Sequence, residues 1–446
     1  MKNILLLLLL LLLFVLLSIY PCFAQKFDSK KMDVLLNVIE SNHKGMGSLS
    51  IFDDGKEIYQ RAYGFSNIKE KKNNNNETVF RIGSISKTFI AVIIMQMIDE
   101  GKLTLNTRLS DFYKNIKKAK IITIENLLQH RSGLLNFTKI ENFIEWRDKR
   151  LTRGELLDKI ENQDIVFKPN EKTEYSNTNY ILLSMIAEKI EGDSLKKILE
   201  SRIFKVCNLK NTSFGSTINA GKNEALSYNY TSNQWIADKE THYSIPLGAG
   251  AIASTPTDLN KFYYHLFEKK LVSKTSLKKM HTIIEGLGIG MYQLPFYEHM
   301  AFGHDGTIDA FQSVVAHFPN EKITIALCSN GNVYPISKIV VNALGLCFDK
   351  EFNIPEFIKA IKLKSEDLDI YLGNYSGTEF PLKVKVSKKN DALLVQAEGQ
   401  PKFIVEPYEP NKFRFEQAEI YITFLIKDKK MIINQGGKDY QLFKKN

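Results

Sequence analysis

Cysteine is scarce in this chain, with four residues in 446 and no CxxC spacing. Three of them, Cys207, Cys328 and Cys347, lie beyond the N-terminal segment. An odd, sparse set excludes both a disulfide framework and a cysteine zinc site, and leaves the thiols as small buried hydrophobes. HExxH is missing and no carboxylate–histidine cluster replaces it, so no metal is expected and no cofactor is implied. GxSxG is missing as well, which disfavours the nucleophile elbow of an α/β-hydrolase. The formal net charge is +10, but its lysines are scattered through pieces such as Lys114–Lys120 and Lys270–Lys279. Without interleaved aromatics this is a solvated basic face, compatible with anionic polymers and not with nucleic acid. No internal repeat is evident.

No apolar run reaches the roughly 18–20 residues that a membrane-spanning helix needs. What the N-terminus does carry is Lys2, a compact oily stretch from Ile4 to Leu17, and a small residue, Ala24, before Gln25. That is the layout of a secretory signal peptide, residues 1–24, which predicts an exported protein, periplasmic or secreted, with no transmembrane span in the mature chain. The rest is long enough for two or three domains.

Two alternating segments flank Asp53-Asp54-Gly55 within Gly47–Gly64, which predicts a β-hairpin. Lys69–Glu77 reads as a polar surface loop. From about Ser84 to Lys102 the pattern is helical, with Gly101 at its end. The middle, about 105–285, reads as mostly helical with polar loops. Strands return at Leu287–Leu294, a second hairpin turns at Pro319-Asn320-Glu321, and Pro335–Phe348 is helix-like. Strands at both ends of a helical block predict an α+β fold: an antiparallel sheet built from the two ends, with helices packed on it. The hydrolase-sized part spans 25–352. After a charged linker (353–369), short alternating runs such as "ALLVQA" and "EIYITFLI" predict a small antiparallel β-barrel-like domain over 370–446. Nothing in it reads as catalytic, and a stabilising appendage is the expected role.

Chemistry concentrates in "RIGSISKTF", Arg81–Phe89, with two serines and one lysine. Helix positions three apart share a face, with about 5–6 Å between Cβ atoms. Ser84 and Lys87 therefore point the same way, and Ser86 does not. The following "TFIAVIIMQMI" is apolar around nearly its whole circumference, so it is buried. A lysine in its first turn is partly desolvated, which lowers the amine's pKa and lets it accept a hydroxyl proton. The first turn also offers free backbone N–H groups to a developing oxyanion. Taken alone, the same residues equally describe a cap serine and a lysine reaching for solvent.

S-x-x-K is the serine motif of β-lactamases and penicillin-binding proteins. From about Gly47 to Phe348 the chain resembles that serine-hydrolase superfamily, in its class C β-lactamase, DD-peptidase and esterase-like branch. The segments that carry the resemblance are "FRIGSISKTF", "IENLLQHRSGL", "YSNTNYILLSMI", "LKNTSF", "GAGAIASTPTDLNKF" and "FGHDGTIDAF", in the expected order. It implies that Ser84 is the nucleophile, with Lys87 and Tyr175 as its catalytic partners. Tyr175 would take the serine proton and return it to the leaving group, paired with Lys87 as cation and phenolate. Asn177 would orient Lys87 and the substrate amide. His304, Gly306 and Thr307 fall where relatives carry Lys-Thr-Gly: Gly306 would admit the substrate to the backbone, and the Thr307 and Ser84 amides would form the oxyanion hole. His130, Ser132 and Gly133 belong to a loop-building motif.

His304 and Asp305 depart from the relatives' lysine and threonine, which help bind a substrate carboxylate. An acid facing the cleft would repel that carboxylate. The reading is therefore an exported serine hydrolase that forms an acyl-enzyme on Ser84 and cleaves D-residue-containing amides or esters, with weak or no β-lactamase activity. Its expected partner is a small-molecule or peptide-like substrate, cell-wall fragments included. The alternative is a non-hydrolytic penicillin- or wall-fragment-binding sensor that is acylated and not turned over. Oligomeric state leaves no mark in the sequence.

Overall fold

Asp54 and Gly55, with φ of 44° and 77°, turn strand β1 (Gly45–Asp53) back into β2 (Lys56–Tyr63). Positive φ at both turn positions matches the twist of an antiparallel hairpin. In the computed structural model, residues 27–445 are described apart from 232–233, 269–270, 358–360 and 416–417. The expected signal segment lies outside the described residues.

The distal half of the hydrolase part supplies β3 (Tyr292–Phe296), β4 (His299–Ile308), β5 (Phe311–Phe318) and β6 (Ile323–Asn332). β6 pairs with β1, giving one six-stranded antiparallel sheet in the order β3-β4-β5-β6-β1-β2. The two ends of the hydrolase part thus build one sheet, and the fold class is α+β as the sequence implies. β6 is buried at every position but its last, because both faces of the sheet are covered. Alternation sends Ile325 and Leu327 to one face and Ala326 and Cys328 to the other. The first face packs on helices α1 (Ser29–Ser41) and α5 (Ile336–Phe348). The second packs on the helical block of α2 (Ser86–Asp99), α3 (Asn177–Glu191) and α4 (Pro256–Phe267). Phe89 of α2 stacks on Phe262 of α4 with centroids 3.8 Å apart, which fixes the shaft of α2 against the sheet side.

Three local expectations differ from the structure. The strand expected from Leu287 begins only at Tyr292. Ahead of it Gly290, with φ of 69°, lies against α2, where an added Cβ would sit 2.6 Å from the Ala91 Cβ. The helix in "ENLLQHRSGLL" stops at Leu128, and His130 follows in the left-handed region at φ 57°. The polar run Lys69–Glu77 is not all surface: Asn74 is buried and donates to the Tyr63 carbonyl (3.0 Å) and to Asn330 Oδ1 (3.1 Å).

The C-terminal alternating runs close into a barrel of eight antiparallel strands between Gly373 and Lys445. Its interior is filled by side chains such as Val386, Val395, Phe413, Phe424 and Leu442. A 3₁₀ turn over Ser365–Tyr371 adds Leu368 and Tyr371 to that core, so the module starts ahead of residue 370.

Candidate active site

Between Phe80 and Met95 every residue is buried except Ser84, which is half-buried. Ser84 sits in a 3₁₀ turn, Gly83–Ile85, that leads into α2. Ser86 is fully buried, and its Oγ accepts a hydrogen bond from the Ile252 amide (3.2 Å), which makes it part of the packing. Gly83 holds φ at 51°, and an added Cβ would lie 2.8 Å from the Thr307 nitrogen. Only a glycine permits both that conformation and that approach.

Lys87 is 0% exposed, and its Nζ lies 2.9 Å from Ser84 Oγ and 2.7 Å from the Ala249 carbonyl. Burial drives its pKa well below the ordinary lysine value, with the Asp305 charge opposing in part. Burial thus favours the neutral amine, whose lone pair can take a proton. The Ala249 carbonyl reaches it because Gly248 lets the 246–250 loop wedge between α2 and α3: a Cβ there would meet Ile90 Cγ1 at 2.6 Å and Ser184 Cβ at 2.7 Å.

Tyr175 closes the cluster. Its phenol is hydrogen-bonded to Ser84, and Lys87 Nζ lies 4.9 Å from the centre of its ring. Burial raises the phenol's pKa, against the lowering effect of that Ser84 contact. Sequence reasoning paired a lysine cation with a phenolate. Desolvation of both groups favours the opposite pair, a neutral amine and a neutral phenol. His130 stacks on Tyr175 at 4.5 Å, and its carbonyl and Nδ1 accept the Glu174 and Ser176 amides (3.0 and 3.1 Å). His130 thus clamps the residues on either side of Tyr175. Ser132 Oγ donates to Asn179 Oδ1 (2.6 Å), and Gly133 leaves room for the Phe167 carbonyl, which a Cβ would meet at 2.0 Å. Asn177 opens α3 with its side-chain amide on Asn136 Oδ1 (3.2 Å).

β4 brings the remaining residues. Ile308 pairs with Phe311 across a two-residue turn, so 308, 306 and 304 share the hydrogen-bonded positions with β5. The amides of Asp305 and Thr307 then point to the other edge. There β3 pairs only as far as Tyr292 opposite Gly303, and the Thr307 amide meets Gly83 beside Ser84. Gly306 admits the Ile82 carbonyl, which a Cβ would meet at 2.0 Å. His304 is buried and neutral, its pKa pushed down by burial to about 3. The Asp305 carboxylate reaches the surface beside it, with Oδ1 3.8 Å from His304 Nδ1. Its side chain is 65% exposed and, with Thr307, lines a groove of about 1100 Å³ on the α5 side of the sheet. Its charge acts on Lys87 and Tyr175, raising the pKa of each.

A serine–lysine–tyrosine cluster with its lysine buried, beside an outward strand amide, is thus in place, and the chain's wider similarity can be set against it. A sequence profile of the Beta-lactamase family matches residues 37–342, more than half of the chain. The protein belongs to the Beta-lactamase family. Within curated relatives, penicillin-binding protein 4* of Bacillus subtilis (strain 168) is 23% identical over 445 residues, covering 92% of this chain and 97% of that one. Protein flp of Staphylococcus aureus (strain N315) is 26% identical over 315 residues, 68% of this chain and 63% of its own. The octameric penicillin-binding protein homologue from Pyrococcus abyssi superposes with a TM-score of 0.65 at 25% identity, over 93% of this chain and 99% of that one. D-amino acid amidase from Ochrobactrum anthropi SV3 shares the fold, with a TM-score of 0.65 at 23% identity, over 72% of this chain and 98% of its own.

In this Beta-lactamase family member the hairpin that presents Thr307 is anchored by a pair no motif announced. Asp309, in the turn after β4, is 0% exposed and accepts from Arg147 Nη1 (2.8 Å) and from Thr241 Oγ1 (2.6 Å). Removing one partner of such a pair leaves a buried charge uncompensated and costs about 3–5 kcal/mol. Asp309→Ala is therefore expected to lower unfolding stability by that amount in denaturant titration, and Arg147→Ala/Asp309→Ala to lower it by less than the sum of the single changes. Additive losses would show that the two side chains are not coupled.

Proposed function

We propose that this protein is an exported serine hydrolase that forms an acyl-enzyme on Ser84. The observation that carries the reading is the 2.9 Å contact between Ser84 Oγ and a fully buried Lys87. As a neutral amine, Lys87 takes the hydroxyl proton while Oγ attacks the substrate carbonyl. The Ser84 and Thr307 amides donate hydrogen bonds to the developing oxyanion. Tyr175, between Ser84 and the leaving group, passes a proton to the departing nitrogen or oxygen. Water then attacks the acyl carbonyl, giving up a proton to the same Lys87–Tyr175 pair, and Ser84 leaves with a proton restored.

The substrate class follows from the charges around the serine. Where relatives of this superfamily hold a carboxylate with lysine, this chain has a neutral histidine, and the nearby Lys87 is neutral too. Neither group offers a cation to the carboxylate of a β-lactam or a D-Ala-D-Ala terminus. We therefore assign it amides of D-amino acids and esters, in line with the D-amino acid amidase whose fold it shares, and little β-lactam turnover. The test is steady-state hydrolysis of D-phenylalanine p-nitroanilide, p-nitrophenyl acetate and nitrocefin by wild type and Ser84→Ala. Turnover of the first two, lost in Ser84→Ala, is expected; efficient nitrocefin turnover would overturn the substrate assignment. A stable label with no turnover of any of the three would instead mark an acylated sensor.

A further inference from the structure

The register of β4 sends two amides, Asp305 and Thr307, to the edge that β3 leaves bare. They do not share a fate. The Thr307 amide faces Gly83 and Ser84, whereas the Asp305 amide donates to the phenol oxygen of Tyr292 at 3.0 Å. That phenol stands where the next residue pair of a longer β3 would supply an acceptor. The same oxygen lies 3.2 Å from His304 Nδ1, and the two rings pack with centroids 4.5 Å apart. His304 Nδ1 also contacts the Asp305 carbonyl, and a carbonyl only accepts. Nδ1 therefore carries the proton, shared between the carbonyl and the phenol oxygen. Nε2, on the ring edge farther from the strand, is left as an acceptor, and the ring as a whole lies 6.4 Å from that of Tyr175.

We infer that Tyr292 is a positioning residue that fixes His304 as a hydrogen-bond acceptor toward substrate, so the site selects substrates carrying an N–H donor next to the scissile carbonyl. It rests on the acyl-enzyme reading above and adds a determinant that the S-x-x-K, Tyr-x-Asn and His304–Thr307 segments do not contain. Tyr292→Phe keeps the ring and removes the one oxygen that engages both Asp305 and His304. The Asp305 amide then loses its acceptor and the His304 ring loses one of the two groups that set its tautomer.

The experiment compares kcat/KM for D-phenylalanine p-nitroanilide, which bears a free amino group, with that for p-nitrophenyl acetate, which has no N–H donor. It uses wild type, Tyr292→Phe, His304→Ala and the double variant. Wild type is expected to favour the anilide relative to its ester rate, Tyr292→Phe to reduce that anilide-to-ester ratio at least about fivefold, and the double variant to resemble His304→Ala alone. An unchanged ratio in Tyr292→Phe, or effects of Tyr292→Phe and His304→Ala that multiply, would overturn the inference. So would a wild type that is labelled by a fluorophosphonate but shows no use of the amino group. A wild type that no fluorophosphonate labels fails the acyl-enzyme reading itself, which separates the two failures.

Discussion

Lys87→Met is expected to acylate about 10³-fold more slowly than wild type, and to melt at a higher temperature. The rate loss lies within the 10²–10⁴-fold that a positioned general base contributes. The gain in stability comes from the same burial. In the folded protein the Lys87 pKa is well below its ordinary value, so unfolding takes up a proton at any pH between the two. Stability then rises with pH across that window and falls as pH drops through it, so at neutral pH the buried amine works against the fold. A methionine of similar length removes that proton linkage, and each 1 kcal/mol regained raises Tm by roughly 2–4 °C in a domain of about 150–250 residues, and by less in a larger one. Wild-type kcat/KM should increase with pH through the depressed Lys87 pKa, because only the neutral amine accepts the serine proton. Stopped-flow acylation and calorimetry on both proteins check these points. A Lys87→Met protein that is slower and also less stable would mean that the lysine is charged and paired in the fold.

Gly306→Ala is expected to cost at least about 10²-fold in acylation and about 1–3 kcal/mol in stability. The added methyl would meet the Ile82 carbonyl at 2.0 Å and Ser313 Oγ at 2.8 Å. Ser313 Oγ already donates to that carbonyl (2.9 Å), so neither neighbour has room to retreat. Overpacking of this kind costs about 1–3 kcal/mol. The rate loss comes from place: Ile82 lies two residues before Ser84, and a displacement near 1 Å costs on the order of 10²-fold. Comparing kcat/KM with the urea midpoint separates the two effects. Activity retained within a factor of about three would show that the strand can shift without moving the serine.

Much of this was legible in the sequence because it is local. The i, i+3 relation of Ser84 and Lys87, the apolar circumference of α2 and the hairpin at Asp54-Gly55 are all contained within one or two turns of chain. The barrel strands were legible for the same reason, since alternation over six residues needs no partner. What stayed hidden depends on distant chain. Ala249 reaches Lys87 across 162 positions, and Asp309 meets Arg147 across another 162. Tyr292 caps Asp305 through a register that only the paired strands define. The packing of the Ile82 carbonyl on Gly306 was hidden too, because nothing local places those two residues together. The burial of Lys87 and Tyr175, which favours the neutral form of each, also depends on chain packed around them from a distance.

The most direct measurement is to map the adduct left by a fluorescent fluorophosphonate. Trypsin releases Ile82–Lys87 as one peptide containing both serines of "RIGSISKTF", and fragment ions tell them apart. The adduct is expected on Ser84 in wild type and in Ser86→Ala, with none on Ser84→Ala. An adduct on Ser86, or Ser84→Ala labelled as strongly as wild type, would contradict an acyl-enzyme at Ser84.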